Sequence, residues 1–557
     1  MVDRLANLRG KSGIGSGSGS LRGDGTVGAA LRRRSGAALA AAGITALLAA
    51  AQPAMARQGG TAIAGRATAA TEPIMTVEDV IRTLNNEPAQ RISVAGRSWQ
   101  RIADAMLDMT TPPNPPISIR GLAEARAGST GTAFRAIQAD RAARSTSVDD
   151  IHPGMSGWDK VAEWAKANQG LADALHAVRD TRGFALPYGT GNVDAKYAAK
   201  GFCVRIGVDG ELRHNEYPYV PQLEALAIFI VAEMYRRLEA GEPEKAFEVA
   251  IDGVRFFRQL CDRPMLVEKA KFIDILSDLL ASQRDAMFVY RDRVPQTLFR
   301  EIAIEEYPFL APGRSTLELP EGERIVGEAL LRQVFDARGQ PDVEKFGDVF
   351  GELQSADKPL TRFGAAKRWE RVARVHGSLD ASLKRLTDIY DDWYRRWRVP
   401  PYDAMQTLPT DLSRTNPIRY GAVIHSIIDS QALFEARKRL AAEVNGAAMA
   451  AGLCGYYRQF GSYPDDREKI YAIFARKASD ADPWDRQYGR FLYFFAGSQR
   501  RAVDTPLGRI WVDGGVLYAR GTDLDDDQVR EVTEDGAVGD FLIWPPMRAL
   551  ERKEGLR

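Results

Sequence analysis

Residues 223–238 read LEALAIFIVAEMYRRL, and this run decides the fold class. Leu223, Leu226, Ile228, Ile230, Met234 and Leu238 recur at helical spacing and give the segment one broad apolar face. Gly241-Glu242-Pro243 then punctuates the chain: glycine suits the position just past a helix end, and proline the first position of the next helix. Ala246, Val249, Val254, Phe257 and Leu260 resume helical spacing, Arg263-Pro264 interrupts it, and a third helix is expected from Met265 to about Tyr290.

Outward from this centre the reading stays helical. Helix starts are expected at Thr76-Val77-Glu78-Asp79 and at Ser98-Trp99. The stretch Thr110-Thr111-Pro112-Pro113-Asn114-Pro115-Pro116 must be a break, because proline removes donors and forbids helix before it. Helical patterns resume at 119–144 and at Trp158–Arg179, then at Glu321–Ala337, Val343–Leu353, Arg362–Arg374 and Ser378–Trp397. The last contains Tyr390, Trp393, Tyr394 and Trp397 among arginines, which at helical spacing reads as a packed seam rather than a base- or sugar-stacking face. The central pair, with its Gly-x-Pro turn, resembles one tetratricopeptide-like unit. No second copy follows at a fixed period, so an irregular helical layer is expected rather than a solenoid.

From Asn416 the pattern changes. One long helix is expected over Tyr420–Phe460, and its Gly446, Gly452 and Gly455, costly in a lone helix, call for close packing against a neighbour. A short helix follows, then strands at Leu492–Phe494, Arg509–Val512, Val516–Arg520 and Asp540–Ile543. Asp513-Gly514-Gly515 reads as a hairpin turn between the second and third of these. The expected fold is mainly α: an irregular α-helical body with a small C-terminal α+β module, a long helix plus a short antiparallel sheet.

Composition bounds the rest. The 557 residues carry 75 Lys plus Arg against 74 Asp plus Glu, a net charge of +1, which excludes a nucleic-acid binder that works by bulk charge. Residues 1–56 hold seven basic and two acidic residues, so this stretch is +5 and leaves −4 for the remainder. Arg32-Arg33-Arg34, the Ala-rich apolar run Gly36–Ala51 and the ending Gln52-Pro53-Ala54-Met55-Ala56 read as a secretory signal peptide cleaved after Ala56. The apolar run is short for a bilayer span, so no transmembrane segment is expected after cleavage. The domain reading is 1–56 signal peptide, 57–74 disordered spacer, 75–415 helical body and 416–557 C-terminal module. Cys203, Cys261 and Cys454 are far apart and odd in number, and fit small buried hydrophobes better than a disulfide framework or a metal site.

The C-terminal order of a long helix, then Tyr456…Gly461-Ser462-Tyr463-Pro464, a short helix and a small sheet carrying Leu517-Tyr518-Ala519-Arg520-Gly521-Thr522-Asp523 resembles the periplasmic part of type II secretion pseudopilins. The resemblance covers about residues 425–545. With the helical middle, the whole is similar to uncharacterised exported helical proteins of planctomycetes. Some 400 residues precede the long helix, so it cannot be the membrane-inserted, filament-forming N-terminal helix of that family.

One constellation carries chemistry. Asp523, Asp525 and Asp527, with Glu534 eleven residues after the first, copy the spacing of an EF-hand calcium loop. Gln528 stands where such loops place glycine, Arg530 stands where they place an apolar residue, and the flanks read as strands. Pseudopilins hold calcium in a C-terminal loop, and the resemblance implies Asp523, Asp525 and Asp527 as ligands, with Glu534, Asp535 or Asp540 completing the shell. The alternative is a solvated acidic turn.

Signals for an enzyme are thin. None of the five histidines lies in a zinc-binding spacing, and Gly154-Met155-Ser156-Gly157 is one residue short of a nucleophile elbow. The polar-aromatic run His214-Asn215-Glu216-Tyr217-Pro218-Tyr219 can line a pocket or form the turn into the next helix. The leading expectation is an exported non-enzymatic structural or interaction protein of the periplasm or envelope, calcium-stabilised at its C-terminal loop. It would have an envelope protein as its partner and no nucleic acid. The competing expectations are an envelope hydrolase with a site assembled near His214, and an accessory component of a secretion assembly.

Overall fold

A computed structural model describes residues 75–113, 151–310, 317–351, 362–400, 403–485, 489–533, 536 and 539–557. The chain divides into two units, Met1–Glu72 and Pro73–Arg557, and every described residue belongs to the second. The signal peptide and spacer, the helical pattern at 119–144, and Glu534 and Asp535 lie outside the described residues.

The protein is mainly helical, with five short strands among the described residues, all near its C-terminus. Helix α1 (Val77–Asn85) starts where expected: the Thr76 side chain accepts the Asp79 N–H at 3.1 Å and Asp79 reaches back to the Thr76 N–H, a reciprocal cap. Next come α2 (Trp99–Met106), α3 (Trp158–Ala167), α4 (Gly170–Val178) and α5 (Ala195–Ala199). The centre is three long helices, α6 (Tyr219–Glu239), α7 (Pro243–Leu260) and α8 (Leu266–Tyr290). Gly241 turns the chain between α6 and α7 with φ +78°, and Pro243 opens α7. The two helices approach closely at Gly253, where a Cβ would stand 2.6 Å from the Ile230 side chain.

Helix α9 (Gln296–Glu301) passes through a π-helical segment (Ile302–Glu306) into α10 (Tyr307–Leu310). Then follow α11 (Gly322–Gln333), α12 (Val343–Phe350), α13 (Arg362–Ala373) and α14 (Leu379–Arg398). The aromatic seam of α14 is packed, as expected: Tyr390, Trp393 and Trp397 are buried, and the Trp397 indole donates to the Leu317 carbonyl at 2.6 Å. Arg396 is buried too, between Asp392 and the carbonyls of Met405, Leu408 and Pro409.

The expected helix over Tyr420–Phe460 is two helices, α15 (Gly421–Ser426) and α16 (Gln431–Phe460). The cause of the break is local: Ile427 is extended, and the Asp429 carboxylate accepts the Gln431 N–H at 3.0 Å, a bond that competes with the helical ladder. The three glycines of α16 each face a close neighbour. A Cβ would stand 2.7 Å from Ile543 at Gly446, 3.0 Å from Ala475 at Gly452 and 2.6 Å from the Phe474 ring at Gly455. α16 also packs along α8, so the long helix of the C-terminal module lies within the body's own core, which runs continuously from Val80 to Trp544. After α17 (Glu468–Tyr471) come the strands.

β1 (Leu492–Phe495), β4 (Gly515–Ala519) and β5 (Phe541–Trp544) form an antiparallel sheet in the order β1-β4-β5, while β2 (Arg501–Thr505) and β3 (Gly508–Val512) form a separate hairpin. This corrects the expected hairpin at Asp513-Gly514-Gly515, which instead is a corner between two sheets. Gly514 exchanges backbone bonds with Ala496 and Gly497 beyond β1; the Tyr463 ring fills the space where a side chain at 514 would sit, and the Tyr493 hydroxyl with Tyr463 the space at 515. A second core between the sheets collects Val503, Ile510, Val512, Val516, Val532 and Leu542, closed by Met547 and Leu550 of α18 (Met547–Lys553). Arg548 and Arg552 tie α18 to α8 through Asp278 and Asp285, each at 3.0 Å. All three cysteines are buried and free, as small hydrophobes.

A buried polar network sits where α6, α7 and α8 meet. Glu268 Oε1 accepts Arg263 Nε at 3.0 Å, Arg263 Nη2 at 2.9 Å and the Tyr219 hydroxyl at 2.5 Å, while Oε2 takes the Tyr188 hydroxyl. Arg263 Nη1 donates to the Leu186 carbonyl at 2.6 Å, and the guanidinium lies 4.3 Å from the Tyr188 ring centroid. Beside it, both Glu323 oxygens accept the Leu266 N–H, at 2.8 and 2.9 Å, satisfying an orphan donor of α8. Burial pushes the Glu323 carboxyl up to about 8 against its ordinary 4.5, with the Leu266 N–H opposing the shift.

Three outcomes follow. Gly455→Val drives a side chain into Phe474 and should lower unfolding stability by about 1–3 kcal/mol. Gly170→Ala, in open space on α4, should leave stability equal or slightly higher in the same denaturant titration. Glu323 favours the folded state fully below pH ~4.5, where both states are protonated. That contribution is lost as pH rises through about 8, because the unfolded chain ionises first. Across that window, stability of Glu323→Gln relative to the parent should therefore rise with pH; parallel curves would contradict this.

Candidate functional site

The acidic loop joins β4 to β5. It leaves β4 at Gly521, whose φ of +71° favours glycine. Asp523 is exposed; its Oδ1 accepts the Asp525 N–H and its Oδ2 the Gly539 N–H, each at 3.2 Å. Asp526 accepts the Gln528 N–H at 2.9 Å and the Tyr518 hydroxyl at 3.0 Å. Gln528, standing where calcium loops place glycine, adopts the glycine-like conformation, with φ +55°. Leu524 and Val529 share it, at φ +71° and +60°. For a β-branched valine this conformation costs on the order of 1–3 kcal/mol. Two contacts hold Val529 there: its side chain is buried in the second core, and its N–H donates to Asp540 Oδ2 at 2.6 Å.

Asp540 lies directly behind this loop. Its side chain is fully buried, and its Oδ1 has no hydrogen-bond partner. Burial pushes its carboxyl up to about 7; the Val529 N–H opposes the shift, the charges of Asp526 and Asp527 add to it, and the Asp527 N–H opposes it in turn. Asp527 is raised as well, by desolvation and then by the neighbouring Asp523, Asp525 and Asp526. The expected ligands Asp523, Asp525 and Asp527 are thus electrostatic neighbours, two of them open to solvent and Asp527 partly so. Their oxygens do not converge into a set mutually within 4.8 Å.

His214 occupies a turn. Its N–H donates to the Glu211 carbonyl at 2.8 Å, and its Nε2 stands 3.3 Å from the Glu211 carboxylate. It does not line the shallow cleft between α8, α16 and α18, which is lined by Arg284, Asp285, Arg439, Glu443 and Arg548. There each guanidinium already faces a carboxylate: Arg284 pairs with Glu443, Arg439 lies 3.9 Å from Asp274, and Arg548 lies 3.0 Å from Asp278. The Gly154–Gly157 run is a loop into α3, and the His152 ring accepts the Gly154 N–H at 3.0 Å.

Another cluster was not visible in the sequence. His176 of α4 faces Glu248 and Asp252, one turn apart on α7, with its Nδ1 2.8 Å from Asp252 Oδ2 and 3.5 Å from Glu248 Oε1. Among the described residues, it is the one group of three or more potential metal ligands whose donor atoms all lie within 4.8 Å of one another. An acidic pair one turn apart is common on helices, and nothing in the sequence says that a histidine more than 70 residues away faces it.

Comparison with known proteins finds no family model, no curated protein and no solved structure that matches this chain.

Proposed function

We propose that this protein is an exported, non-enzymatic structural or interaction protein of the cell envelope, whose C-terminal acidic loop is clasped by calcium. The observation that carries the reading is Asp540. A fully buried carboxylate with one unpartnered oxygen, set behind a loop of four aspartates, is costly to keep ionised without a cation. Oxygen-rich loops of this kind suit a hard divalent ion, and extracellular modules bind calcium in the 10⁻⁴–10⁻³ M range. The basic leader and Ala-x-Ala ending support export to a compartment where such binding is useful. No described helix is long and apolar enough to cross a membrane.

The test is thermal unfolding of the full chain in millimolar calcium and in chelator. A ligand that binds only the native state stabilises it by about 2.7 kcal/mol at one hundred times its Kd. Calcium should raise the transition, and Asp540→Asn or the Asp523→Ala, Asp525→Ala pair should abolish the rise. Asp540→Asn should also unfold at a higher temperature than the parent in chelator near neutral pH, because it removes a buried charge. Identical transitions in calcium and chelator would overturn the calcium clasp.

A further inference from the structure

His176, Glu248 and Asp252 form a prearranged site on the outer face of α4 and α7, and we propose that it binds one zinc-class divalent ion as a clip between the two helices. One imidazole nitrogen and two carboxylate oxygens are a borderline donor set, suited to zinc rather than to calcium or magnesium. Donors about 2.0–2.2 Å from a tetrahedral ion stand about 3.3 Å apart. The His176 nitrogen is 2.8 and 3.5 Å from the two carboxylate oxygens, so the ion needs only small side-chain adjustments.

The surroundings behave as an outer shell. Asp252 is buried, and its other oxygen lies 3.0 Å from Arg179 Nη1 in an ion pair without a hydrogen bond, while Oδ2 is directed at His176. Arg179 also reaches Glu306 at 3.4 Å, and Arg255 binds Glu306 at 2.6 Å and Asp180 at 3.1 Å. Four carboxylates therefore face two guanidiniums, and with a neutral imidazole the cluster carries −2, which a divalent ion cancels. The His176 and Glu248 side chains are 55% and 52% exposed, so the ion can enter from solvent and water can fill the fourth position. No covalent chemistry is involved. Zinc takes the imidazole nitrogen in its neutral form.

The site lies on residues unrelated to the acidic loop and stands or falls independently of calcium. Calorimetric titration of the full chain with zinc chloride should give one saturable site at micromolar zinc. His176→Ala and Glu248→Gln, both on half-exposed side chains that tolerate replacement, should each weaken it tenfold or more while leaving the circular dichroism unchanged. Zinc should also raise the parent's unfolding temperature, and not that of His176→Ala. Absence of saturable binding, or equal zinc affinity in the parent and both variants, would overturn the proposal.

Discussion

The fold depends on a buried ion pair at a three-way junction. Arg263 sits in the turn between α7 and α8, Glu268 in the first turn of α8, and together they meet Tyr188 from the segment before α5 and Tyr219 at the start of α6. Such a pair is expensive to desolvate, and its attraction offsets that cost only where every remaining lone pair and proton finds a partner. Here the partners are present: two phenol hydroxyls, the Leu186 carbonyl and the faces of two aromatic rings. Burial, and then the Glu268 charge, hold the Tyr219 phenol well above its usual pKa, so it stays a donor. The network fixes the register of α6, α7 and α8 at one end, and the apolar faces follow from there.

Polar pairing recurs along α8, which is buried nearly all round. Lys271 meets Glu224 of α6, Asp274 lies near Arg439, and Arg284 meets Glu443, both of α16. Asp278 and Asp285 then receive the arginines of α18. One helix thus carries carboxylates and cations matched to partners on three others. Apolar contact alone would tolerate sliding of long helices; paired charges at fixed positions select one alignment. The same helix links the helical centre to the C-terminal sheets, whose second core closes under α18.

Much of this architecture was legible in the sequence, for identifiable reasons. Gly241-Glu242-Pro243, Thr76 with Asp79, and Ser378 mark helix boundaries through caps and turns that act locally. The glycines of α16 announced close packing, and Ile543, Ala475 and Phe474 supply it. Long-range facts were hidden. Strand β2 has only Val503 fully buried, between Ala502 and Asp504, so its alternation was too weak to read. Gly514-Gly515 looked like a hairpin because the Tyr463 ring that demands those glycines lies fifty residues upstream. The break at Asp429 depends on one side-chain bond. In the acidic loop the spacing of Asp523, Asp525 and Asp527 was visible, but the buried, half-unpartnered state of Asp540 was not. The facing of His176 on Glu248 and Asp252 is purely tertiary.

The central claim is that Arg263 and Glu268 act as one unit at the helix junction, and a double-mutant cycle tests it most directly. Denaturant unfolding would be measured for the parent, Arg263→Met, Glu268→Leu and the double variant. Each single change leaves a buried charge unpaired and should cost about 3–5 kcal/mol. The double variant should lose less than the sum by at least ~1 kcal/mol, the coupling of a contacting pair. Strictly additive losses, or single variants as stable as the parent, would contradict the account.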